Sequence, residues 1–188
     1  MGNFYTNYTV RGVSQVEVAA AMAGRSAVIA PLSNGAIVIF DRASEQKESA
    51  ASELASRLSN DLKQPVLAVM NHDDDVLWYQ LYSAGKLLDQ YNSCPDYFDY
   101  MGEGEMARPR GGNARVLCEA FGCEHVDYVE QILRKPGLHA DGYPFAFQRH
   151  ADLLEALDLP SFAAGTSFES FRHQGNIDGL PPGEILRT

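Results

Sequence analysis

The sequence predicts an α+β fold: an antiparallel sheet carrying two helices on one face, followed by a helical extension. Three observations lead there. Short apolar runs alternate with amphipathic helical stretches through the first half of the chain. Turn-forming dipeptides separate several of those runs at hairpin spacing. From residue 113 onward, helix caps and helical spacing replace strand patterns.

The first strand is written as alternation: Phe4, Thr6, Tyr8 and Val10 against Tyr5, Asn7, Thr9 and Arg11. Ser14 then caps a helix, Glu17 completes a capping box, Val13 and Val18 stand at staple positions, and Gly24 closes the element. Two strands follow, "AVIAPL" and "AIVIFD", joined by a turn at Asn34-Gly35. A second helix spans residues 45–62, because Ala51, Leu54, Ala55, Leu58 and Leu62 form one stripe, and Gln64-Pro65 ends it. "PVLAVM", "VLWYQLYS" and "KLLDQYNS" complete a meander. The first six elements have the β-α-β-β-α-β order of a ferredoxin-like sheet, here extended by that meander.

Composition changes near Asp89. Residues 89–105 hold five carboxylates and no Lys or Arg, so residues 93–112 read as an acidic, Gly-rich loop or linker between a sheet domain (1–92) and a helical extension (113–188) packed on it. Asn113 caps a helix that Gly122 ends, and Pro136-Gly137 stops a second. Pro144 opens a third, with Phe147, Ala151, Leu154 and Leu157 as its buried stripe and His150 at the stripe's edge. The later Phe162, Phe168 and Phe171 are expected to pack back on the body.

With 45% apolar and 21% charged residues, the 188-residue chain can fill a core. Its net charge of −10 repels phosphate backbones and anionic lipid, which argues against nucleic-acid and membrane partners. Residues 93–188 carry fifteen acids against eight bases and so hold most of the negative field. No apolar run reaches membrane-span length and no signal peptide is evident. Three cysteines without a secretion signal predict reduced thiols and a cytoplasmic protein. The N-terminus formally fits a myristoylation pattern (Gly2, Thr6) and a glycosylation pattern (Asn7 to Thr9). The two imply opposite compartments, and a first strand accounts for both.

The stretch "NHDDD" at residues 71–75 is the candidate metal site, with His72, Asp73 and Asp75 as ligands. Asn71, Asp73 and Asp75 have the 1-3-5 spacing of a calcium loop, but Val76 and Tyr82 stand where that loop needs Gly and Glu. An acidic hairpin tip explains the same residues. Cys118, Cys123 and His125 lack the second ligand pair of a zinc site. Cys94 stands among carboxylates that disfavour a thiolate. No nucleophile elbow, zincin helix, P-loop or dinucleotide fingerprint is present.

The expectation is therefore a non-catalytic protein-interaction module with no cofactor, of inhibitor or immunity type, docking a basic protein. Its expected surface is Asp96, Tyr97, Phe98, Asp99, Tyr100, Glu103 and Glu105, since aromatics supply contact area and carboxylates select cations. The alternatives are a metal-assisted hydrolase using residues 71–75, or a small-molecule binder using a crevice between the sheet and the C-terminal helices.

Overall fold

A computed structural model describes residues 2–99, 107–137, 142–173, 177 and 180–188. The chain runs β1 (Tyr5–Arg11), α1 (Gln15–Ala21), β2 (Ala27–Ile29), β3 (Ala36–Asp41), α2 (Glu48–Leu62), β4 (Val66–His72), β5 (Val76–Ser83) and β6 (Lys86–Asn92). It continues through β7 (Arg110–Gly111), α3 (Ala114–Phe121), α4 (Val126–Arg134), α5 (Ala146–Ala156), α6 (Ser170–His173) and β8 (Leu186–Arg187). The mixed helix and sheet class is as expected. The eight strands form a single antiparallel sheet in the order β7-β6-β5-β4-β1-β3-β2-β8.

Local chemistry shapes these elements. Ser14 and Glu17 make the reciprocal capping box that starts α1. Asn34-Gly35 and Ala84-Gly85 both turn at positive φ (47° and 70°, 48° and 77°), the backbone that two-residue hairpins require. The strand expected over residues 27–32 is shorter than "AVIAPL". Pairing continues through Ala30, whose N–H donates to Val38 O, is interrupted at Pro31, which has no N–H to give, and resumes in the bridge between Ser33 and Ala36.

The sheet is covered on both sides, which explains its near-continuous apolar runs. Tyr8, Val10, Ile29, Ile37, Ile39 and Val66 pack against Val18 and Met22 of α1 and Leu54 and Leu58 of α2. On the opposite face Val38, Phe40, Leu67, Val69, Leu77 and Tyr79 pack against Leu117, Leu133, Leu153 and Leu154 from α3, α4 and α5. Phe168 and Phe171 join that second cluster.

Three expectations need correction. Residues 93–112 contain a strand at their end: β7 pairs Gly111 with Tyr91 and Arg110 with Asn92. Gly111 has φ 75°, and a Cβ there would stand 2.1 Å from Gln90 O, so only glycine lets the chain approach. Likewise the tail carries β8, and two two-residue strands end the sheet, one way of blunting exposed edges. Second, the predicted stripe of α5 holds at Leu154 and Leu157, both fully buried, but not at its start. Arg149 and His150 are buried, whereas Phe147 is only half-buried and stacks on Phe145. Each of the two buried groups has some partners: the Tyr5 hydroxyl and His150 Nδ1 share a hydrogen bond at 2.9 Å, and Arg149 lies over the Tyr91 and Tyr143 rings while donating to Ile132 O, although Arg149 Nε and Nη2 and His150 Nε2 meet no hydrogen-bond partner among the described residues. Third, Cys118 and Cys123 form a disulfide across the Gly122 turn, where reduced thiols were expected.

Glu45 follows β3 at the edge of the second cluster, where its Oε2 accepts from Phe168 N. Burial pushes its carboxyl up to about 7, helped by the negative charges of Glu169 and Asp41. The folded chain thus binds this proton more tightly than the unfolded chain does. That contribution is complete below the unfolded value of about 4.5 and is lost as pH rises through about 7. Glu45→Gln is expected to remove this slope and to be more stable than the parent at pH 8 by about 2 kcal/mol. Urea midpoints at pH 5 and pH 8 check it, and equal pH slopes for the two proteins would contradict it.

Candidate functional site

Two regions far apart in sequence meet at one end of the sheet. Between β4 and β5 the chain turns from His72 to Asp75, with Asp75 N donating to His72 O at 3.0 Å. Asp73 and Asp74 sit at φ 53° and 62°, a left-handed conformation that aspartate tolerates better than most residues. Their carboxylates serve separate donors. Asp73 Oδ1 accepts from Gly2 N at 3.0 Å. Asp74 accepts from Asn3 N, Asn3 Nδ2 and Asn71 Nδ2 at 3.0, 3.1 and 2.9 Å. Asp75 Oδ2 accepts from the Tyr97 hydroxyl at 2.8 Å. Among the described residues, no three His, Cys, Asp or Glu side chains gather as a metal cluster. The run of charge that suggests a metal site in sequence is here a knot tying the N-terminal arm and the acidic loop to the turn.

His72 has a settled orientation. Gln46 Nε2 donates to Tyr5 O and Asn71 O, which leaves Gln46 Oε1 as the acceptor for His72 Nδ1–H at 3.0 Å. Around the imidazole stand Phe4 and Phe98, with ring centroids 4.9 and 5.1 Å away, both edge-on. Tyr97 packs edge-on against Phe98. Phe98 is 76% exposed and Phe4 42% exposed, so this aromatic group faces solvent. Phe145, 49% exposed, precedes Ala146, whose N–H donates to Asp74 O.

Of the sequence-predicted loop, Asp96 is committed internally, since both its oxygens accept from Ala107 N. Asp99 is exposed. Tyr100, Glu103 and Glu105 lie outside the described residues. The structure thus brings His72, Asp75, Tyr97 and Phe98 into one group, and adds Phe4 and Gln46, which no motif marks.

Beside this group the sheet is open only at β6, where Gln90 is exposed and Asn92 half-buried, while Trp78 and Gln80 are buried. Trp78 pairs with Asn92 across β5 and β6, and Gln80 pairs with Gln90, all on the α2 face. Helix α2 reaches Gln80, whose Oε1 accepts from Ser52 Oγ at 2.7 Å, but its first turn stops short of covering Asn92 and Gln90. A cavity of about 240 Å³ lies over Gln90, Pro95 and Arg110, and one of about 220 Å³ lies over Met70, His72, Val76 and Phe98. Both share Glu48, Trp78 and Asn92, so together they form one cleft running from the N-terminal end of α2 to β7. The only sequence sign of it is the polar pair Gln90 and Asn92, in phase with Trp78. The space between the sheet and the C-terminal helices, by contrast, is filled by the second hydrophobic cluster.

Three further candidates lie in buried settings. Burial pushes the His150 imidazole down to about 3, which keeps it neutral. Burial, followed by the Asp96 charge, pushes the Cys94 thiol up to about 11, against a nucleophilic thiolate. Asn7 is buried in β1 and donates to Ala163 O at 2.7 Å, so the formal glycosylation pattern is not presented to solvent. Compared with known proteins, the chain matches no family model, no curated protein and no solved structure.

Proposed function

We propose that the protein is a non-catalytic interaction module that docks a basic protein on the end of the sheet where the 71–75 turn meets residues 96–99. The observation that carries this reading is the exposed aromatic pair Phe4 and Phe98 around His72, set beside aspartates whose hydrogen bonds hold the surface in one shape. Exposed aromatics on a pre-ordered surface make binding anchors. Flanking carboxylates and a net charge of −10 select cationic partners. Inhibitor-type docking fits this chemistry. The central order β4-β1-β3-β2, with α1 and α2 on one face, supports reading the core as a ferredoxin-like unit extended by a meander.

A displayed library of random peptides, selected in parallel on the parent and on a Phe4→Ala, Phe98→Ala, Asp99→Lys variant, tests the reading. Lys- and Arg-rich peptides are expected to be enriched on the parent and lost on the variant. Enrichment of acidic or neutral peptides, or equal enrichment on both proteins, would remove the reading.

A further inference from the structure

We propose that the cleft over Trp78 receives one arginine or lysine side chain of that basic partner, with its stem on the apolar floor and its head at Glu48; this rests on the docking reading above. Size is the first argument. The His72 end of the cleft measures about 220 Å³, below the roughly 300–1,000 Å³ usual for drug-sized ligands, and only the adjoining space of about 240 Å³ beside Arg110, which repels a cation, would bring it into that range. The His72 end has room for a single long side chain.

Lining chemistry is the second argument. Exposed Phe98 and half-buried Met70 offer apolar surface to a methylene stem over a floor of Val76 and Trp78 that is 4% and 6% exposed, and long cationic side chains bury such stems readily. Glu48 is the sole carboxylate among the described residues lining this end, so a cationic head meets an opposite charge at the cleft's wall. Continuity is the third. Phe98 and His72 belong both to this cavity and to the exposed aromatic group, so a partner seated on the group lies over the cleft mouth. Arg110 at the far end repels a second cation, which limits the site to one.

Trp78 is the only tryptophan in the chain, so its emission reports the cleft directly. The test uses the full chain and a labelled peptide of alternating Arg and Gly, with an alternating Glu and Gly peptide as control. Two signals are read together: peptide anisotropy for docking, and Trp78 emission for cleft entry. The Arg peptide is expected to raise anisotropy and shift Trp78 emission with one midpoint, and the Glu peptide to do neither. Glu48→Gln, which keeps the size of the side chain at an exposed helix start, is expected to weaken the midpoint about fivefold. Anisotropy that rises with Trp78 unchanged, or that is indifferent to Glu48→Gln, would refute the cleft proposal while leaving the docking surface standing. No rise with either peptide would refute both. A Trp78 shift that depends on protein concentration without peptide would instead assign the cleft to a second copy of this chain.

Discussion

Asp74→Ala is expected to lower stability by about 2–4 kcal/mol, the largest loss from any single change in the acidic turn. The carboxylate is only 8% exposed and accepts from Asn3 N, Asn3 Nδ2 and Asn71 Nδ2. Removing it leaves those donors without their acceptor, and Asn71 is itself fully buried. An unpaired buried donor typically costs about 1–3 kcal/mol, which applies to Asn71 Nδ2, whereas the two donors of exposed Asn3 can turn to water and cost less. Alanine also fits poorly at φ 62°, which adds roughly 1 kcal/mol. Two further variants separate these causes. Asp74→Gly relieves the backbone and keeps the hydrogen-bond loss, so it is expected to recover only that smaller part. Asp74→Asn tolerates the conformation and retains one acceptor oxygen, so it is expected to fall between the parent and Asp74→Gly. Urea unfolding followed by Trp78 emission measures all three, and faster amide exchange at Asn3 marks release of the N-terminal arm. An Asp74→Ala protein within 1 kcal/mol of the parent would show that water replaces the carboxylate without penalty.

The second large effect lies beneath α2. Asp41 is completely buried at the end of β3 and accepts from Arg25 Nε and Nη2 at 2.8 and 2.7 Å, and from Ser44 N and Oγ at 2.9 and 2.7 Å. The Tyr8 hydroxyl extends the network by donating to Ser44 Oγ at 2.6 Å. Burial alone would raise this carboxyl, but the hydrogen bonds from Arg25 and Ser44 and the guanidinium charge outweigh it and hold the group below the usual aspartate range. Asp41→Ala is expected to cost about 3–5 kcal/mol, as when one member of a buried pair is removed. The pH dependence has the opposite sign to that of Glu45. A depressed carboxyl stabilises the fold above its unfolded value of about 3.8, and that stability is lost as pH falls through its folded value. Acid unfolding of the parent should therefore be steeper than that of Asp41→Ala below pH 4, and parallel acid limbs would contradict this account.

These two aspartates show where the sequence is readable and where it stops. Asp41 ends an apolar run, and nothing near it in the chain names Arg25 as its partner. Asp74 reads only as part of an acidic hairpin tip, yet its acceptor sites are taken largely by an arm 71 residues away. The same limit applies to α5. Spacing assigns Phe147 to the core, but Arg149 and His150 take the buried side there, beside the rings of Tyr5, Tyr91 and Tyr143. The cleft residues Glu48, Trp78 and Asn92 come from three elements, and each alone looks like ordinary helix or strand surface.

By itself, the sequence determined what short-range chemistry can specify. Ser14 with Glu17, Asn34 with Gly35, and the Leu54 to Leu58 stripe name a helix start, a hairpin and a buried face, because each acts through hydrogen bonds or periodicity within a few residues. The mixed helix and sheet class follows from these pieces. Only the tertiary structure decided the strand order, the two short edge strands, the burial of Arg149 and His150, and the meeting of the 71–75 turn with Tyr97 and Phe98. All of these depend on register and packing between distant segments, where the partner of a polar group is set by what the whole chain brings beside it.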